Sequence, residues 1–150
     1  MRIAKTKIAL ALGMLVLAAQ AQADQLADIK AAGVVKVATF DANPPFGSVD
    51  PKTHKIVGYD VDFAEALAKS LGVKLELVAT NPANRIPLLQ NGTIDFECGS
   101  TTNNRARQKD ADFAVTTFVE EVRIAVKADS GITSIKDLNG KNVATSTGTT

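Results

Sequence analysis

One well-patterned helix stands between two strand-like segments in residues 34 to 79, and that order constrains the fold more than any other feature of the chain. In "GYDVDFAEALAKSLG", Val61, Ala64, Leu67, Ala68 and Leu71 recur at helical spacing as one apolar stripe. Gly72 follows where a left-handed residue ends a helix, and Asp62 with Glu65 fits a capping box. "VVKVAT" (Val34 to Thr39) before it is β-branched and apolar enough for a buried strand; "VKLELVA" (Val73 to Ala79) after it alternates as a strand does. Strand, helix, strand predicts a βαβ unit with a right-handed crossover, so the chain is expected to be α/β.

The flanking segments extend this pattern. "DQLADIKAAG" predicts a short helix stopped by Gly33, and "DANPPFGSVDPKTHK", dense in Pro, Gly, Asn and Asp, predicts a loop. "NRIPLLQNG" predicts a second short helix with Pro87 in its first turn, where proline is tolerated. A third strand is expected over Ile94 to Cys98 and a helix around Asn104 to Lys109. Beyond a boundary near Ala114 to Glu120, the patterns predict a strand at Val122 to Ala128, a short helix in "SIKDLNG" with Ser134 as N-cap, and a strand in "KNVATS". The chain then stops in a Ser/Thr/Gly loop, where an α/β pattern normally runs on into a helix, so a C-terminal truncation is expected.

The N-terminus bears on compartment and charge. Arg2, Lys5 and Lys7 precede the apolar run "IALALGMLVLAA", and Ala21-Gln22-Ala23 is a small-x-small cleavage signature, so residues 1–23 read as a signal peptide. The run is well short of the roughly 20 residues that span a bilayer. Periplasmic export is the expectation. Removing the leader takes three of the 17 Lys and Arg and none of the 16 Asp and Glu, leaving a net charge of −2. That balance gives no general attraction for nucleic acid or an anionic membrane. Cys98 is the one cysteine, read equally as a buried thiol or as half of a disulfide to sequence outside the chain. His54 stands alone in a loop, and no nucleophile–base pair, metal cluster or phosphate loop stands out, so neither a catalytic set nor a cofactor or metal is expected.

Hydroxyl, amide and guanidinium groups follow the third strand in "CGSTTNNRARQKDADF" (Cys98 to Phe113). Ligands of open α/β sheets gather at strand C-terminal ends, a helix start offers free N–H groups, and Arg107 carries a planar fork for a carboxylate. The same residues also read as helix caps with a solvated basic face of Arg105, Arg107 and Lys109. Arg85 has the same two readings. Residue types alone leave the choice open.

The segments "VGYDVDFAEALAKSLGVKLELV", "NRIPLLQNGTIDFECGSTTNN" and "RQKDADF" resemble family 3 extracellular solute-binding proteins, the receptors of polar amino-acid ABC importers, and the second is most similar to the glutamate/aspartate-binding branch. The resemblance implies a type II periplasmic-binding-protein fold of two α/β lobes with the ligand between them. Residues 24–116 would supply lobe one, and 117–150 a hinge and the opening of lobe two. It implies that Arg107, five after Thr102, clamps an α-carboxylate. Ser100 would offer its carbonyl to the α-ammonium, and Thr102 a hydroxyl and N–H. Arg85 would face a side-chain carboxylate, Phe46 would form an apolar wall, and Ser146 and Thr149 would line the first loop of lobe two. The implied partners are an amino acid and a membrane permease, the complete receptor being a monomer without nucleic acid. Phe40 departs from the charged reader common at its position, and Pro82 from a hydroxyl-bearing residue, which opens the site to a smaller or less charged ligand. Periplasmic enzymes similar to cyclohexadienyl dehydratase and ligand-sensing ectodomains share the fold, which alone does not choose between them.

Mass spectrometry of the exported protein is expected to give a mature N-terminus at Asp24; an intact leader would remove the cleavage assignment.

Overall fold

The computed structural model describes residues 24 to 149, so the leader and its cleavage site lie outside the described residues. Helix α1 (Gln25–Ala32) begins at Asp24, whose carboxylate accepts from the N–H groups of Leu26 and Ala27, and ends at Gly33 in the left-handed region. Strand β1 (Val34–Phe40) follows at once. The expected loop contains two short strands, β2 (Ala42–Asn43) and β3 (Gly47–Val49), and a third, β4 (Ile56–Val57), follows directly after it, the three paired antiparallel in chain order. Their turn residues, including a cis Pro44–Pro45 bond, masked them in the sequence.

Helix α2 (Tyr59–Leu71) crosses to β5 (Lys74–Thr80), which pairs parallel with β1 from Val34 opposite Lys74 to Phe40 opposite Thr80. This is the expected βαβ unit. Helix α3 (Arg85–Gln90) leads to β6 (Phe96–Glu97) on the other side of β1, giving the order β5-β1-β6. The third strand is shorter than Ile94 to Cys98, although Asp95 N–H donates to the Lys36 carbonyl and Cys98 N–H to that of Ala38, continuing the pairing.

Central placement explains the composition of β1. Val35, Val37, Ala38 and Thr39 are fully buried, because a middle parallel strand is covered on both faces. Val35 and Val37 share a face with their register partners Leu75 and Leu77, and there meet Ile29 of α1 and Ala64 and Ala68 of α2. Fully burying one such valine contributes about 1.5–3 kcal/mol. The predicted α2 stripe is thus the one that packs, with Leu71 at its margin.

The predicted capping box does not form. Helix α2 starts a turn before Asp62, at Gly58, and the N–H groups of Tyr59 and Asp60 donate to the Pro45 and Phe46 carbonyls at 3.1 and 2.9 Å. Backbone thus replaces the expected side-chain cap. Gly58 is required here: its φ is 138°, and a Cβ would collide with the Phe46 carbonyl.

Three further expectations fail after β6. The helix over Asn104 to Lys109 reduces to a single 3-10 turn, Arg107–Lys109. Asn104 Oδ1 accepts the Arg107 N–H at 2.9 Å, an instance of short polar side chains competing with helical hydrogen bonds. Neither Val122 to Ala128 nor "KNVATS" is a strand, since neither finds a ladder partner among the described residues. β-branched composition is a propensity, whereas a strand exists only as a pair. "SIKDLNG" makes a 3-10 turn, Ile135–Leu138, whose Asp137 carboxylate accepts from the N–H and hydroxyl of Ser134 at 2.8 and 3.1 Å.

Two outcomes follow from the core. Ile94 is 1 % exposed, so Ile94→Ala is expected to lose about 2–5 kcal/mol in urea unfolding and Ile94→Val about 0.5–1.5 kcal/mol. Asp60 is buried, its Oδ2 accepting no hydrogen bond among the described residues. Burial raises its carboxyl from the ordinary 3.8, while a Ser100 hydrogen bond pulls it partly back. The folded state therefore holds this proton at pH values where the unfolded chain has released it, and this group's contribution to stability falls as pH rises between the two. Asp60→Asn is expected to gain stability relative to the parent as pH rises above about 4; a difference independent of pH would contradict that sign.

Candidate functional site

The residues that carry polar chemistry meet at the C-terminal ends of β1 and β6, where α/β sheets place their ligands. β1 delivers Phe40 and β6 delivers Glu97, while the loop after β6 brings Gly99 to Thr102. Arg85 enters from the first residue of α3.

Arg85 is 3 % exposed and held from several sides. Its Nη1 donates to the Gly99 carbonyl at 2.9 Å, its guanidinium carbon lies 5.3 Å from the centre of the Phe40 ring, and Glu97 Oε1 stands 3.9 Å from Nη1. Burial works against the charge of Arg85, the Glu97 carboxylate supports it and Arg107 opposes it. Burial likewise raises the Glu97 carboxyl above the usual range, against the Thr101 hydroxyl, which donates to Oε2 at 2.7 Å, and against Arg85. Cys98 is a free thiol; burial, then Glu97 and Asp60, push it up to about 12. It is partly buried, packed against the core of Val35 and Val37.

Arg107 is only partly buried. Nη1 donates to the Thr102 carbonyl at 3.0 Å and Nη2 to the Gly148 carbonyl at 2.8 Å. Arg85 Nη2 donates to that same Gly148 oxygen at 3.2 Å. Two guanidinium groups thus converge on one oxygen. Gly148 has φ 83° and a Cβ there would press on the Pro82 carbonyl, so only glycine brings this carbonyl so close.

The structure brings together Arg85, Arg107 and Thr102, the last through its carbonyl. Ser146 and Thr149 bracket Gly148: Thr149 Oγ1 donates to the Ser146 carbonyl at 2.8 Å, closing the turn that presents the Gly148 oxygen. Ser100 stands beside the group in the left-handed region at φ 54°, its Oγ accepting from Asn43 Nδ2 at 3.4 Å. Phe46 instead stacks edge-on with Tyr59 and Phe118, at 6.1 and 4.9 Å between ring centres. The ring against a site arginine is Phe40. An open depression of about 480 Å³ lies nearby, lined by Asp41, Thr80, Asn81 and Asn84 among others, but by none of the arginine-site residues.

Sequence reading missed Glu97 as a partner of Arg85, although a charged residue near the end of an expected strand, just before the polar loop, was the available signal. It also placed a helix N-terminus at the site, which the Asn104 turn replaces. No group of metal-ligating side chains occurs among the described residues, and no described helix is long and apolar enough to cross a membrane.

Comparison with known proteins places these features. Residues 35–146 match the model of the bacterial extracellular solute-binding proteins, family 3. The chain is 43 % identical to a glutamate/aspartate import solute-binding protein of Salmonella typhimurium, over 79 % of this chain and 41 % of that protein. It is 39 % identical to an L-glutamate/L-aspartate-binding protein of Pseudomonas aeruginosa, over 100 % of this chain and 53 % of that one. The chain therefore spans about half the length of these relatives. Among solved structures, a cysteine-binding protein from Campylobacter jejuni matches with TM-score 0.63 and 32 % identity over 75 % of this chain and 46 % of that one. An ancestral cyclohexadienyl dehydratase matches with TM-score 0.59 and 38 % identity over 62 % of this chain and 38 % of that one. The fold is that of the type II periplasmic binding proteins, and the chain belongs to the family 3 bacterial extracellular solute-binding proteins.

Proposed function

We propose that this chain is the amino-acid-capturing part of a periplasmic receptor that delivers a polar amino acid of the glutamate/aspartate class to the permease of an ABC importer. The observation that carries the reading is the convergence of Arg85 and Arg107 on one oxygen. Paired guanidinium donors suit a carboxylate, which offers the same kind of acceptor with a full charge. The names of the Salmonella typhimurium and Pseudomonas aeruginosa relatives, both glutamate/aspartate-binding proteins, support the ligand class.

In this reading Arg107 takes the α-carboxylate, aided by the hydroxyl and N–H of Thr102. Arg85 faces a side-chain carboxylate, the Ser100 carbonyl faces the α-ammonium, and Phe46 supplies apolar surface. Residues 24–116 are most of one lobe; 117–150 are the hinge and the opening of a second, which brings Ser146 and Thr149. Ligand that touches both lobes only when they are closed shifts the open–closed equilibrium, and the permease reads the closed form. Binding rather than turnover is the role assigned, in a monomer exported by cleavage after Ala23.

Calorimetry on the receptor expressed from its complete reading frame is the test. Arg107→Lys is expected to weaken every α-amino-acid ligand on the order of tenfold or more, because a point charge does not replace two fixed donors. Unchanged affinity would sink the assignment of Arg107.

A further inference from the structure

Glu97 is a charged side chain buried beneath the site. Its side chain is 6 % exposed, and that of Arg85, 3.9 Å away, is 3 % exposed. Neither Arg85 Nε nor Glu97 Oε1 makes a hydrogen bond among the described residues, so charge rather than direct bonding couples the two. The carboxylate is nonetheless fixed. Thr101 donates to Oε2, and Oε1 occupies space that exists only because Gly99 lacks a side chain, as a Cβ there would collide with it. The same Gly99 presents its carbonyl to Arg85 Nη1.

The two site arginines therefore differ electrostatically. Arg85 has an internal counterion, whereas Arg107 forms no ion pair among the described residues and uses its donors on carbonyls. Two arginines supply the donors for two carboxylates; Glu97 acts on both charges, but among the described residues it stands within ion-pair distance of Arg85 alone.

We infer that Glu97 is a positioning residue that sets ligand selectivity without touching the ligand: it holds and offsets the charge of Arg85, moderating the preference for an acidic over an amide side chain. The inference rests on the functional reading above and adds what tunes its specificity.

The test measures the ratio of glutamate to glutamine affinity in the receptor expressed from its complete reading frame. Glu97→Gln keeps the shape and an acceptor for Thr101 but removes the charge, so the ratio is expected to rise on the order of tenfold. Glu97→Asp keeps the charge and is expected to hold the ratio near the parental value, which a packing role alone would not require. Thr101→Val leaves both charges but releases Oε2, and is expected to shift the ratio in the same direction by a smaller factor; it decides the matter if Glu97→Gln does not fold. A ratio that stays constant or falls in the charge-removing variant overturns the inference while leaving the functional reading intact. A parent that binds neither amino acid overturns the functional reading and this inference with it.

Discussion

The parallel pairing of β1 with strands on both sides is the constraint on which the rest depends. A middle strand has no solvent face, so Val35 and Val37 turn into the α1–α2 side of the sheet and its remaining residues must also be covered. The same pairing brings the ends of β1 and β6 side by side, with Ala38 opposite Glu97. Phe40 and Gly99 then lie within reach of one arginine. The position of the site is a consequence of strand register before any ligand chemistry enters.

Register also makes a buried charge tolerable at this point. Arg85 is placed under cover by α3, and a guanidinium there would be costly without partners. Gly99, Gly148, Glu97 and Phe40 each meet part of that need, and they come from three separate places in the chain. A buried ion pair of this kind is weak evidence for stability. Its more informative feature is asymmetry, since among the described residues one arginine of the pair has a carboxylate within ion-pair distance and the other does not.

The segment after Phe113 behaves differently from the sheet. Its attachment to the rest runs through a few identifiable contacts: the Tyr59 hydroxyl donates to the Thr117 carbonyl at 2.8 Å, Phe118 stacks on Phe46 and Tyr59, and the Gly148 carbonyl accepts from two arginines. Val115, Val119 and Val122 are more than four-fifths exposed. Strand-like composition was present at Val122 to Ala128 as it was in β1, but composition reports only what a segment would bury, and among the described residues that stretch finds no strand to pair with.

What the sequence by itself determined was local and periodic: the α2 stripe, the left-handed glycines after α1 and α2, the β-branched β1 and the strand–helix–strand order. Each depends on a repeat or on a single residue's allowed φ, information that needs no distant partner. Arg107 and Arg85 were legible as cations able to bind a carboxylate, yet their alternative as a solvated basic face was equally legible. Only the tertiary structure decided that both point at the Gly148 oxygen, that Glu97 lies against one of them, that Phe40 rather than Phe46 meets a guanidinium, and that α2 is capped by the Pro45 and Phe46 carbonyls instead of Asp62 and Glu65. The physical reason is sequence separation: Arg85 and Gly148 are 63 residues apart, and no local pattern records which carbonyl a buried guanidinium will find.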